Sequence, residues 1–94
     1  MGEADLHRVR GELLISVGDP TAAEAAFQQA IAVARRQQAK LWELRAATSL
    51  ARLWRDEGKA AEARDLLAPV YSWFTEGFDT PVLQDAKALL DQLT

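Results

Sequence analysis

The chain contains no cysteine among its 94 residues and only one histidine. The missing thiols exclude a disulfide framework, a thiolate metal site and a cysteine nucleophile. No run of apolar residues approaches the roughly 18 that are needed to cross a bilayer. The first residues, from Met1 to Asp5, lack the basic and apolar regions of a signal peptide. We therefore predict a cytoplasmic protein that does not enter a membrane.

Side chains that could perform chemistry are few and scattered. His7 has no neighbouring acid or nucleophile in the sequence, so we expect it to be partly buried between helices rather than catalytic. Asp56 and Glu57 stand near a predicted turn without the spacing of metal ligands. The five glycines do not form a phosphate-binding loop. We predict no enzymatic activity, no cofactor and no metal.

The net charge of −3 is unevenly distributed along the chain. Residues 1–34 carry five acids and two bases, residues 35–64 carry four acids and eight bases, and residues 65–94 carry five acids and one base. The acidic total argues against a nucleic-acid binder, which is usually basic as a whole. The basic middle segment is compatible with an acidic peptide partner.

Glycine and proline mark three breaks, at Gly18-Asp19-Pro20, Gly58-Lys59 and the segment from Gly77 to Pro81. Between them the chain is rich in Ala, Leu, Arg, Glu and Gln, which favour helix. We predict five helices, over about 4–17, 20–37, 40–57, 60–76 and 81–93. No glycine or proline marks the break near Gln38-Ala39. We place a break there because the internal repeat described below requires one.

Two local features refine these boundaries. Asp19 is predicted to cap a helix whose first residue is Pro20, with Thr21 and Glu24 as an alternative capping box. Pro69 lies inside the fourth helix, where it removes a hydrogen bond to the carbonyl of Asp65, and we expect the helix to bend there.

A shift of 40 residues superposes small residues on small ones and large apolar residues on large apolar ones. The matched pairs are Gly11 with Ala51, Leu13 with Leu53, Leu14 with Trp54, Gly18 with Gly58, Ala23 with Ala63 and Phe27 with Leu67. Such self-similarity indicates two copies of one helix–turn–helix unit. Gly11 and Ala51 are expected to let the two helices of each unit approach closely.

These residues resemble the tetratricopeptide (TPR) repeat, with its Leu-Gly-x-x-Tyr core in one helix and Ala-x-x-x-Phe in the next. The corresponding motifs here are Arg10-Gly11-x-x-Leu14 with Ala23-x-x-x-Phe27, and Leu50-Ala51-x-x-Trp54 with Ala63-x-x-x-Leu67. The resemblance implies one all-α domain over residues 1–94, an antiparallel array with repeats at about 4–37 and 40–77 and a capping helix at 81–93. The period of 40 residues departs from the usual 34.

Three segments also resemble the C-terminal tail of bacterial multidomain regulators that join an adenylate cyclase or transcription-factor domain to an ATPase and end in TPR-like repeats. They are Gly11-Glu12-Leu13-Leu14, the segment from Ala46 to Ala51 and the segment from Tyr71 to Thr80. This resemblance implies a signalling scaffold without cyclase or ATPase activity of its own.

In TPR arrays the first helix of each repeat lines a concave groove. Outward positions on these helices are Asp5, Arg8, Glu12 and Ile15 in the first copy and Arg45, Thr48, Arg52 and Arg55 in the second. Spacings of seven and three residues place the last three arginines on one helix face, and guanidinium groups suit carboxylates. The predicted protein-binding groove comprises Arg8, Glu12, Arg45, Thr48, Arg52 and Arg55. The alternative is a solvated face whose arginines pair with Asp5, Glu12 or Asp56.

Two repeats are fewer than the three or more that usually make such an array stable. Either the last helix covers the open end or a second chain does, which makes a homodimer a second prediction. The sequence thus favours a module for protein–protein interaction, and its alternative is an oligomerisation or structural element with no groove ligand.

Overall fold

Five α-helices form the described part of this computed structural model, which comprises residues 2–74 and 80–93. They are α1 (Gly2–Ser16), α2 (Pro20–Arg36), α3 (Lys40–Asp56), α4 (Ala60–Ser72) and α5 (Pro81–Leu93). The all-α prediction is therefore confirmed. The molecule measures 36 × 31 × 19 Å along its principal axes.

The helices form two rows. Each helix packs against its neighbour in sequence, and α3 additionally contacts α1 and α5. The odd-numbered helices thus lie side by side in one row, with α2 and α4 in the other. As a result α3 touches all four other helices.

The three turns between α1 and α4 share one conformation. In each, one residue has a positive φ: 84° at Gly18, 54° at Gln38 and 81° at Gly58. The amide of the following residue donates to a carbonyl five residues earlier, from Asp19 to Leu14 at 2.8 Å, from Ala39 to Ala34 at 2.9 Å and from Lys59 to Trp54 at 2.7 Å. These bonds satisfy carbonyls that a helix end leaves free. The predicted break at Gln38-Ala39 is confirmed, with glutamine in a position where the other turns have glycine.

The start of α2 follows the first of the two capping predictions. Pro20 is its first residue, and the Oδ1 atom of Asp19 accepts a hydrogen bond from the amide of Ala22 at 3.2 Å. A proline is well tolerated there because the first amides of a helix have no partner within it.

The prediction that the fourth helix continues to about residue 76 is wrong for the described residues 73 and 74. α4 ends at Ser72, and the amides of Trp73 and Phe74 bond to carbonyls only three residues earlier. Pro69 precedes this tighter turn by one helical turn and has no amide proton to donate, so one backbone hydrogen bond is missing near the end of α4. Residues 75 and 76 lie outside the described residues, and the bend at Pro69 stays a prediction.

The close approach predicted at Gly11 is confirmed. A Cβ atom built on Gly11 would lie 2.5 Å from Cε1 of Phe27, much closer than van der Waals contact. Phe27 is completely buried, so its ring could not turn out into solvent without losing that burial. The first hairpin therefore depends on the missing side chain at Gly11.

The repeat continues into α5. Ala46, Ser49 and Leu53 of α3 are at most 7% exposed, and so are the residues 40 positions later. Those residues are Ala86, Leu89 and Leu93. The predicted capping helix thus has the register of the first helix of a third unit.

We predict that Gln38→Gly stabilises the protein. Glycine adopts positive φ without the steric cost that a side chain brings, so the free energy of unfolding should rise by about 0.5–1 kcal/mol in urea titrations. Gln37→Gly is the matched control, because Gln37 has a φ of −87°. That change should lower the stability, and a gain of similar size from both variants would contradict the explanation.

A second prediction concerns the contact between Gly11 and Phe27. Gly11→Ala should lower the free energy of unfolding by about 1–3 kcal/mol through overpacking. In a Phe27→Leu background the same change should be neutral or stabilising, because alanine favours helix by about 1 kcal/mol and the smaller side chain leaves room. Ala51 and Leu67, the equivalent pair in the second repeat, are both buried. An equal loss in both backgrounds would contradict this account.

Candidate functional site

An open cleft of about 210 Å³ lies along α3, between α1 on one side and α5 on the other. Its walls are formed by Arg8 of α1, by Arg45, Thr48, Ser49 and Arg52 of α3, and by Pro81, Val82 and Asp85 of α5. Residues 45, 48, 49 and 52 repeat at intervals of three and four along α3, so they share one face of that helix. The cleft therefore follows from the side-by-side packing of the odd-numbered helices.

Four of the six residues predicted to form a groove line this cleft: Arg8, Arg45, Thr48 and Arg52. Glu12 stands behind it, where its Oε2 atom accepts a hydrogen bond from the Ser49 hydroxyl at 3.0 Å. Sequence reasoning missed Ser49 and the wall contributed by α5. The 40-residue register provided a signal for that wall, because it carries the pattern of α3 into α5.

Arg55 does not line the cleft. Its guanidinium donates to the side chain of Gln92 on α5 and lies 3.1 Å from Asp56. It therefore links the ends of α3 and α5 rather than lining the predicted groove.

Asp5 orients two of the three arginines of the cleft. Its Oδ1 atom is 2.9 Å from Nε of Arg8 and 3.7 Å from Nη1 of Arg45. Arg8 also lies 3.8 Å from Glu12, and the guanidinium of Arg45 is 5.2 Å from the centroid of the Trp42 ring. Such contacts restrict the rotamers of both arginines and neutralise part of their charge. They are of the kind expected for a solvated, internally paired face.

Arg52 and Asp85 differ from these paired groups. Within residues 2–74 and 80–93, neither side chain makes a hydrogen bond or an ion pair. Both are exposed, and they belong to different walls of the cleft, Arg52 on α3 and Asp85 on α5. One cation and one anion thus remain for a ligand.

Thr48 contributes to the wall in a different manner. It is 5% exposed, and its hydroxyl donates to the carbonyl of Leu44 at 2.7 Å. Because this proton is already used within α3, Thr48 shapes the cleft and offers a ligand only the remaining lone pair of its oxygen.

A second cleft of about 580 Å³ lies at the junction of α2 and α3. The Glu43 carboxylate is buried there, 2.9 Å from Nε of Arg35 and 3.3 Å from Nζ of Lys40. Lys40 in turn lies 5.6 Å from the ring centroid of Trp73, whose side chain is largely exposed. Phe74, the last described residue before position 80, also lines this cleft, and we assign no ligand to it.

Within the described ranges, no three His, Cys, Asp or Glu side chains are grouped so that they could hold a metal ion. In the same ranges no helix combines the length and the hydrophobicity that crossing a membrane requires.

No protein-family model matches the chain, and no curated protein or solved structure is significantly similar to it. The TPR-like repeat type and the likeness to regulator tails therefore remain predictions based on the motifs. What points to a function is the geometry of the clefts and surfaces.

We predict that Glu43→Leu changes the free energy of unfolding by less than about 1 kcal/mol or raises it. Burying a carboxylate costs hydration that its ion pairs only partly offset, whereas both of its cationic partners stay hydrated at the surface after the change. Leu83, the equivalent residue of α5, shows that leucine fits this position of the repeat.

The matched control is Glu43→Ala, which removes the same ion pairs and leaves the space empty. It should lower the free energy of unfolding by roughly 1–3 kcal/mol. If both variants lose the same amount in chemical denaturation, the ion pairs stabilise this junction and the prediction is wrong.

Proposed function

We propose that the chain is a protein–protein interaction module that holds an acidic segment of a partner protein in the cleft between α1, α3 and α5, without catalysis of its own. The observation that carries the proposal is Arg52, an exposed guanidinium in the cleft that no described side chain neutralises. An arginine of this kind suits a carboxylate, to which it donates two parallel hydrogen bonds.

The size of the cleft favours a peptide over a compact small molecule. Ligand pockets for drug-sized molecules usually measure about 300–1,000 Å³ and enclose most of the ligand. The volume of about 210 Å³ found here is smaller, and the cleft is open to solvent. It has room for one or two side chains of an extended segment whose backbone continues over the surface.

The charges around the cleft favour a specific contact over a general attraction. The three arginines Arg8, Arg45 and Arg52 are balanced formally by three acids in or behind the cleft. The acids are Asp5, Glu12 and Asp85. Without an excess of positive charge the site lacks the field that attracts a phosphate backbone. We infer a ligand that places a carboxylate at Arg52 and a donor or a cation at Asp85.

The alternative function is that of a structural helical element with no groove ligand. The pairs that Arg45 forms with Asp5 and Arg55 forms with Asp56 favour it, because they occupy two of the predicted binding arginines. A role within a bacterial regulatory or signalling assembly fits both functions and rests on the sequence resemblance alone.

The experiment is a selection from a displayed library of random peptides on the immobilised full chain. We expect enriched peptides to share an Asp or Glu residue. A synthetic copy of an enriched peptide should lose about 10–100-fold in affinity when Arg52 is changed to Glu, because a charged hydrogen bond becomes a repulsion. Fluorescence polarisation measures the affinities.

Arg64→Glu is the matched control, since Arg64 is an exposed arginine of α4 outside the cleft and the change in net charge is the same. It should leave the affinity unchanged. A peptide in which the acidic residue is replaced by lysine should regain affinity for the Arg52→Glu variant. Failure to enrich any peptide, or equal losses in both variants, would favour the structural alternative.

A further inference from the structure

One face of α1 exposes a row of apolar side chains. Leu6 is 67% exposed, Val9 41%, Leu13 62% and Val17 75%. The spacings of three and four residues place the first three on one side of the helix, and Val17 directly follows its last residue. We call these four residues the α1 stripe. Arg10 lies beside the stripe between Val9 and Leu13, and its guanidinium donates to the side chain of Gln29 of α2 at 3.3 Å.

The same positions are buried in the other helices of this row. Leu6, Val9 and Leu13 correspond to Ala46, Ser49 and Leu53 of α3, which are at most 7% exposed. Their counterparts in α5 are buried to the same degree. Since Ser49 donates to Glu12 of α1, this face of α3 is directed at the preceding hairpin. The α1 stripe therefore continues, one repeat earlier, an interface that the molecule already uses at α3 and α5.

The opposite end of the array is polar. The exposed residues of α5 include Gln84, Asp85, Lys87, Asp91 and Gln92. Terminal units of repeat proteins commonly have such a polar outer face, which keeps the array soluble. The described part of the chain thus has one apolar end and one polar end.

We propose that a second copy of this chain covers the α1 stripe. The equivalent faces of α3 and α5 are already covered within each molecule, and the exposed surface of α5 is polar. The other large apolar side chains that are well exposed outside α1, Leu41 and Trp73, line a separate cleft and form no row along a helix. The described surface of a second copy that offers a matching row of apolar side chains is therefore its own α1. Two α1 helices pack about a twofold axis, and the contact closes as a dimer rather than continuing as a filament.

The side chains of the stripe favour this arrangement over the stacking of one molecule on the next. Ala46 and Ala86 occupy the position of Leu6 in the internal repeats, so a hairpin of this kind accepts a small side chain there. In a symmetric pair of antiparallel helices, Leu6 of each copy instead lies opposite Leu13 of the other. Val9 is then next to the twofold axis.

Sedimentation velocity of the full chain from about 10 µM to about 1 mM tests the proposal. We expect the average mass to rise toward twice that of the chain. Leu13→Lys should raise the dissociation constant at least about tenfold, because the twofold axis brings two charges into the contact. Leu41→Lys should leave the dissociation constant unchanged, since Leu41 is also an exposed leucine, at 43%, but lies outside the stripe.

A monomer at every concentration would overturn the proposal, and so would a dimer that Leu13→Lys does not weaken more than Leu41→Lys. Circular dichroism establishes that both variants are folded. As a second test, Val9→Cys should form a disulfide-linked dimer on oxidation faster than Ala88→Cys, an exposed site on α5. Equal rates would also overturn it. No residue of the stripe lines the cleft. Peptide binding is therefore measured separately in the same variants, so that failure of the dimer proposal is distinguished from failure of the proposed function.

Discussion

The position of α3 between all the other helices is the constraint on which the rest of the fold depends. Six consecutive residues, from Ala46 to Ala51, are at most 5% exposed, so neighbouring helices cover nearly every side of α3 over almost two turns. Small residues make this arrangement feasible because they let neighbouring helices approach from several directions. The two hydroxyls among them are satisfied locally, Thr48 by the carbonyl of Leu44 and Ser49 by Glu12. A larger or unpaired polar side chain in this segment would affect both rows at once.

The same packing determines what the surface can bind. Because α1 and α5 flank α3, the exposed edge of that helix lines a cleft that all three helices enclose. Arginine is suited to this edge, since its aliphatic stem packs against helix surfaces while its guanidinium reaches solvent. Asp5 fixes Arg8 and Arg45 across the boundary between two helices, and Arg52 is left for a ligand. The chemistry of the cleft is thus a consequence of the helix order, not of a dedicated loop.

Sequence periodicity was sufficient for the helices, the turn at Gln38 and the close contact of Gly11 with Phe27, because each of these follows from spacing within one or two units. It was insufficient where an outcome depends on several elements at once. The premature end of α4 reflects competition between helix propensity and the missing bond at Pro69, which composition alone does not weigh. Likewise, the orientation of Arg55 toward Gln92 depends on where α5 packs. No sequence pattern predicts that Glu43 is buried, because its burial depends on how α2 and α3 pack together.

The two candidate surfaces meet on α1, and this links the proposed dimer to the proposed peptide site. One face of α1 carries the apolar stripe, while Asp5 and Arg8 on another face organise the cleft. Among the described helices, α1 contacts α2 and α3 alone, so in a monomer none of them supports its outer face. A second copy packed on that face would restrict the motion of α1 and with it the positions of Asp5 and Arg8.

Restricting the groups of a binding site before the ligand arrives reduces the entropy that is lost on binding. Dimerisation would therefore raise the affinity of the cleft without touching it, and the coupling would act in both directions, because a ligand that orders α1 must favour the dimer by the same free energy.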